Sequence, residues 1–371
     1  AVSAIDDAEA NVYLLSQVLA RRLSGDLALA VEAAERLNER LHRTRPPVVI
    51  GDKRLMPLYH LQIGLTLLLS GQMPRALRSF SLARQFAVLD GSDEVQREAS
   101  AASALTHAVR GSIDQAEREL ATSRAVPSGG APLPASIDSA ERIAEALIHL
   151  ERMDADIGER VRALASYDAP DELWSFTVLA LVRFELSRCR PMNALDVISL
   201  AFDSHPWQEG TVADDIRISC TIDAFLSLGE LSSAQAMSEG VRSNQVLSRL
   251  SRVRVQLHNG SHAQAARDCR KLSGALDASA ATRAEALLLL CWINLEIDGT
   301  VEAHQARVVA QFAICGRHRR SFTTVPGTLI EAIARQLPPE EAEKFSQALS
   351  GLPHATGLTE RPRLSPGELK V

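Results

Sequence analysis

Five times along this chain an apolar run ends in a glycine and an alanine stands five positions later: Gly25 and Ala30, Gly71 and Ala76, Gly111 and Ala116, Gly229 and Ala234, Gly260 and Ala265. Cys189 with Ala194 keeps the offset without the glycine, and Gly299 has His304 at the offset and Ala303 one earlier. Each part has a physical role. The glycine ends one helix in a left-handed conformation that costs other residues about 1 kcal/mol. The alanine, a turn into the next helix, lets two antiparallel helices approach closely. Four and seven residues further on the choice is again small or apolar (Phe80 and Ala83, Ala34 and Leu37, Leu120 and Ser123, Ile198 and Ala201), on one helical face. The marks lie 46, 40, 78, 40, 31 and 39 residues apart. The 78 is twice 39, which predicts a silent repeat with its turn near Asp154–Asp156. Each unit is a helical hairpin that buries its second side only by stacking on its neighbours.

Composition agrees with an all-α chain. Hydrophobic residues make up 46% and aromatics only 4%, so the core is Leu, Ala, Val and Ile. Strand patterning is nearly absent. Breaker runs at Arg43–Pro47 and Ala125–Pro134 interrupt the array; the second is a loop or insertion dividing a front part from a back part. The net charge of −6 and pI near 6.0 exclude a broad nucleic-acid surface. The basic run Arg317–Arg320 reads as a solvated helix end in preference to a phosphate contact. Five separated cysteines without C-x-x-C spacing read as thiols packed as small apolar groups. With no signal peptide pattern and no long apolar run, the cytoplasm is the expected location.

The period and punctuation resemble tetratricopeptide repeats (TPR), most closely over Leu69–Ala83, although the period exceeds 34 residues. The expected fold is a TPR-like solenoid of about seven or eight hairpins over residues 1–350, with a loop insertion near 125–137. A linker at 351–363 leads to Leu364–Val371. There Ser365 and Glu368 form a capping box and Pro366 suits the first helical position. This segment resembles the first helix of the LuxR-type DNA-binding domain. Leu364, Ser365, Glu368 and Val371 match the family pattern, while Gly367 and Lys370 replace its Arg and Glu. Layout and segment together resemble the sensor portion of LuxR-type regulators related to the maltotriose-responsive activator of the maltose genes. The resemblance implies a superhelix that receives an inducer, a helix-turn-helix domain of which 364–371 would be the start, and contact with DNA through that domain alone. The nucleotide-binding module of that family has no counterpart here, as no G-x-x-x-x-G-K-[ST] occurs.

No catalytic constellation is present: no G-x-S-x-G, H-E-x-x-H, G-x-G-x-x-G or acidic calcium loop. No enzymatic activity, no cofactor and no metal site is expected. The ten histidines read as surface residues. Asp154, Asp156 and Glu159 suit a helix start, which favours negative charge. A solenoid binds through its concave wall, lined by the first helix of each hairpin. Six residues before the turn mark that wall holds Leu65 and Leu105 in front, but Arg183, Asp223 and Arg254 in the back, with Ser219 four residues before Asp223. Two readings follow. The ladder is an inner polar patch that binds a small-molecule inducer or a peptide, with Arg as a carboxylate or phosphate fork. Alternatively, Arg183 and Asp223 form an inter-repeat ion pair that contributes about 0–1 kcal/mol if exposed. Trp207, in the inter-repeat loop Asp203–Gly210, would flank the groove mouth; Trp174 and Trp292 read as core. A protein- or peptide-binding scaffold unconnected with transcription is the rival function. Self-association into a homodimer through an exposed apolar repeat end is compatible with both.

Overall fold

A computed structural model describes residues 2–43, 54–127, 134–165, 172–239, 246–275 and 278–352. Within them the chain is all-α, with no strand. Val2–Leu23 (α1) pairs with Leu27–Arg43 (α2), Met56–Leu69 (α3) with Met73–Asp90 (α4), and Asp93–Val109 (α5) with Ile113–Ala125 (α6). Ala135–Arg152 (α7) pairs with Ile157–Ala165 (α8), and Trp174–Ser187 (α9) with Pro191–Ser204 (α10). Val212–Leu228 (α11) pairs with Leu231–Glu239 (α12), Val246–His258 (α13) with His262–Gly274 (α14), and Ala280–Asp298 (α15) with Ala303–Ile314 (α16). A 3₁₀ segment, Arg319–Thr324, and the helices Gly327–Arg335 (α17) and Pro339–Leu349 (α18) complete the described chain. The expected segment 364–371 and nearly all of the 351–363 linker lie outside the described residues, as do 44–53 and 128–133.

All eight hairpin turns carry a residue with positive φ: Gly25, Gly71, Gly111, Met153, Cys189, Gly229, Gly260 and Gly299. Their spacings are 46, 40, 42, 36, 40, 31 and 39 residues, so the silent repeat is a real hairpin turning at Met153. Its small residue five positions on is Gly158. Ala30, Ala76, Ala116, Ala194, Ala234 and Ala265 are fully buried, as the close approach of paired helices requires. The last repeat departs from the pattern. Because α16 begins only at Ala303, the packed small residue is Ala306, while Ala303 and His304 are exposed. Cys189 holds φ at 56° with a side chain that costs about 1 kcal/mol there. Cys189→Gly should therefore raise stability by roughly 0.5–1 kcal/mol, read as a higher urea midpoint; an unchanged or lower midpoint would contradict this turn geometry.

Ion pairs stitch neighbouring hairpins at about one repeat of separation: Arg75 with Glu35 at 2.9 Å, Arg97 with Glu141 at 3.0 Å and Arg152 with Glu117 at 2.6 Å. Asp215 on α11 accepts the Leu247 and Ser248 N–H groups at 3.2 and 2.8 Å and so caps the first turn of α13. The core does not break at the 126–134 connection, since Leu120 and Ile137 belong to one apolar cluster.

The rod also returns on itself. Arg22 pairs with Glu172 at 2.8 Å, and Gln208 accepts from the Ala28 N–H at 3.3 Å. Further along, Asp114 pairs with Arg317 at 2.8 Å, and Gly111 packs directly on Ala281. These contacts span several hairpins, so successive superhelical turns touch. First helices such as α3 and α11 are in consequence buried on most faces, whereas α10 buries only Ala194 and Ile198.

Histidine burial corrects the surface expectation. His60 is buried and stacked on Phe86 at 5.4 Å, and His318 is buried too. Burial, with His42 nearby, pulls His60 down to about 4; burial, with Arg110 and Arg118, does the same for His107. The unfolded chain protonates these rings near pH 6.5, the folded one only near 4. Their contribution is whole above about pH 6.5 and is lost as pH falls toward 4. We expect thermal stability to drop between pH 7 and 4.5, with His60 responsible for about 2–3 kcal/mol. His60→Phe should flatten that profile; a profile unchanged by the substitution would contradict it.

Candidate functional site

Six residues before each turn the first helix presents one face to the inside of the superhelix. At this position α3, α5 and α7 carry the buried Leu65, Leu105 and Leu147; α9, α11 and α13 carry Arg183, Asp223 and Arg254. The Arg254 guanidinium bridges two hairpins. Its Nη1 donates to both Asp223 oxygens at 3.0 Å, and its Nη2 donates to Glu285 on α15. Ser251 Oγ donates to Asp223 at 3.0 Å. Arg183 donates instead to Glu151 on α7 at 3.3 Å, and Arg320, from the 3₁₀ segment, donates to the same Glu151 oxygen at 2.7 Å. The Arg183–Asp223 ion pair does not form, because each residue finds its partner in the hairpin on its other side.

Arg183, Ser219, Asp223 and Arg254 nevertheless converge on one cavity of about 50 Å³ between α9, α11, α13, α15 and the 3₁₀ segment, closed further by Glu285 and Arg320. Register alone brings four residues from three helices together. Trp207 lies elsewhere. It lines a second cavity with Trp174 and His205 near the Gly25 turn, 38% exposed, with the Arg217 guanidinium 4.4 Å from its ring centroid. Trp174 is half-buried and stacks on His205 at 4.6 Å; Trp292 is buried and contributes to the first cavity.

The charges at the first cavity are largely removed from water: the exposed fraction is 2% for the Glu151 side chain, 8% for Glu285 and 9% for Arg320. Buried charges persist only when paired. Burial raises the Glu151 carboxyl, but Arg320, His318 and Arg183 outweigh it and hold it far below the ordinary carboxylate range. Burial, then the charge of Arg320, lowers Arg183 to about 10. Burial, then Asp223, pushes the Cys220 thiol up to about 12, and Cys269 and Cys291 are raised to the same value, as packed apolar groups would be; Cys189 and Cys315 are exposed and depart from that reading.

Three residues of the network escape a reading by register: Glu151, Glu285 and Arg320. Glu151 leaves no distinct trace: it stands two residues before the Met153 turn between Leu150 and Arg152, with His149 beside them. Arg320 overturns the solvated reading of Arg317–Arg320: Arg317 is exposed, but His318 and Arg320 are buried against α7, and Arg319 donates to the Arg152 carbonyl at 3.2 Å. At the Met153 turn, His149, Asp154 and Asp156 gather within 4.8 Å of one another. A 2.7 Å contact between His149 and Asp154 and a 2.9 Å pair between Arg160 and Asp156 account for that grouping.

No family model matches the chain, and no curated protein matches it by sequence. Among solved structures it is similar to the TPR domain of P58(IPK), at 12% identity and a TM-score of 0.28, over 92% of this chain and 96% of that one. No helix among the described residues is long and apolar enough to cross a membrane.

Proposed function

We propose that this TPR-like array is the signal-receiving domain of a LuxR-type transcription regulator, which controls DNA binding by a C-terminal domain and has no catalytic chemistry of its own. The convergence of Arg183, Ser219, Asp223 and Arg254 on one cavity carries the reading; the likeness of Leu364–Val371 to a LuxR-type first helix supports it. A small-molecule inducer fits better than a peptide, because the cavity is narrow and its guanidinium groups are buried rather than ranged along an open groove. Arg320, Thr323 and Thr324 of the 3₁₀ segment line the cavity together with the helical wall. A ligand there touches both and stabilises the arrangement in which the segment is docked. That differential affinity is what a population shift needs in order to expose or dimerise a DNA-binding domain. The protein works in the cytoplasm and meets DNA only through that domain.

The parent gene read past Val371 tests the proposal. A compact four-helix domain with a basic recognition helix is expected; a continuation without one overturns the regulatory role and leaves a binding scaffold.

A further inference from the structure

The two halves of the buried network are charged in opposite senses. On one side Arg183 and Arg320 share a single carboxylate, Glu151, at 3.3 and 2.7 Å. Glu151 stands behind them and does not line the cavity, whereas both guanidinium groups do. On the other side Asp223 and Glu285 share a single guanidinium, Arg254, and all three line the same cavity. Two cations over one anion face two anions over one cation. The cavity therefore has a cationic pole and an anionic pole, each in excess of its own partner.

Burial makes this polarity matter. In a medium of low effective dielectric an unbalanced charge attracts a complement far more strongly than it would in water. Burial first, and then the charge of Arg320, lowers Arg183 at the cationic pole. Asp223 is the most exposed of the lining charges, at 28% of its side chain, so the mouth lies beside Asp223, while Arg183, Arg254, Glu285 and Arg320 are all well buried. The volume restricts the occupant further. An engineered cavity that admits benzene measures about 150 Å³, against about 50 Å³ here. The enclosed space takes two charged groups joined by one carbon; a larger occupant leaves its side chain in the open mouth.

Resting on the reading of this cavity as the signal site, we infer that it receives a small zwitterion of the amino acid type, its carboxylate on Arg183 and Arg320 and its ammonium group on Asp223 and Glu285. A simple anion would satisfy the cationic pole and leave the anionic one in excess. A neutral polyol would leave both unsatisfied, and unpaired buried polar groups are what make a site reject an analogue.

The test is calorimetric titration of the protein with free amino acids, glycine and L-alanine among them, and with the methyl ester and N-acetyl derivative of whichever binds. At least one free amino acid should bind, and each derivative, lacking one charge, should bind roughly tenfold more weakly or worse. Asp223→Asn and Arg183→Gln, checked for helical content by circular dichroism, should each lose affinity by a similar factor. The derivatives probe the same charges without altering the fold, so the inference stays testable if a variant unfolds. Equal binding of derivative and parent overturns it. If amino acids fail at millimolar concentration while another metabolite or a peptide binds and Arg183→Gln abolishes that binding, the zwitterion is wrong and the signal site stands. If nothing binds from any of these classes, both are wrong.

Discussion

Replacing Glu151 with alanine should destabilise the protein by roughly 3–5 kcal/mol, the cost of removing one partner from a buried ion pair. The carboxylate lies on α7 with 2% of its side chain exposed, and it is held by Arg183 from the next hairpin and by Arg320 from a segment 169 residues away. Alanine would leave two guanidinium groups buried side by side without a counter-charge. The change should appear as a lower urea midpoint at unchanged slope, with the thermal midpoint falling by several degrees or more. A loss under about 1 kcal/mol would mean that the two arginines reach water and that the groove is not closed. A combined replacement of Glu151, Arg183 and Arg320 by apolar residues of similar volume should recover most of the loss, since buried ion networks often contribute little relative to well-packed hydrophobic substitutes.

Gly111→Ala is expected to cost about 2–5 kcal/mol, well above the same change at another turn. A β-carbon at Gly111 would sit 2.3 Å from the Ala281 Cβ and 3.3 Å from its Cα, and φ is +66°. Gly229 has a similar φ of +79° with nothing within 4 Å. The left-handed strain is common to both and amounts to about 1–2 kcal/mol. The collision exists only at Gly111, and overpacking of that kind costs about 1–3 kcal/mol more. Chemical denaturation of the two variants separates the terms, and Gly111→Ala with Ala281→Gly should regain part of the difference. Equal losses at both positions would mean that the turn of the third hairpin does not meet the start of α15.

Much of this architecture is legible in the sequence because it is local. A left-handed turn needs glycine or a strained substitute, and a close helix pair needs a small residue a turn later; both leave marks at fixed offsets. The offsets were regular enough that a doubled interval exposed the unmarked hairpin at Met153, where no glycine stands. Register did the same for the cavity: counting back from each turn placed Arg183, Asp223 and Arg254 on one inner face. What stayed hidden was the return of the chain. Arg320 carries no periodic signal, and its partner Glu151 belongs to a hairpin half the chain away, so a basic run facing a buried carboxylate looks like a basic run facing water. The exchange of partners has the same origin. Adjacent repeats suggest Arg183 with Asp223, but once Glu151 is buried on one side and Arg254 on the other, each finds a stronger claim outside that pair. Trp207 was displaced from the groove for another reason: its loop lies against the first hairpin turn, and its ring meets Phe202 edge-on and lines a cavity with Trp174 and His205.

The stack of hairpins is wound tightly enough for its own later segment to close a charged cavity on the inner wall. The most direct measurement is a double-mutant cycle on Glu151 and Arg320, using Glu151→Gln, Arg320→Met and the double variant under denaturant. A coupling energy of about 2 kcal/mol or more is expected for a buried pair in contact. Additive losses, with coupling below about 0.5 kcal/mol, would show that residues 319–324 are not seated against α7 and would remove the wall on which the proposed site depends.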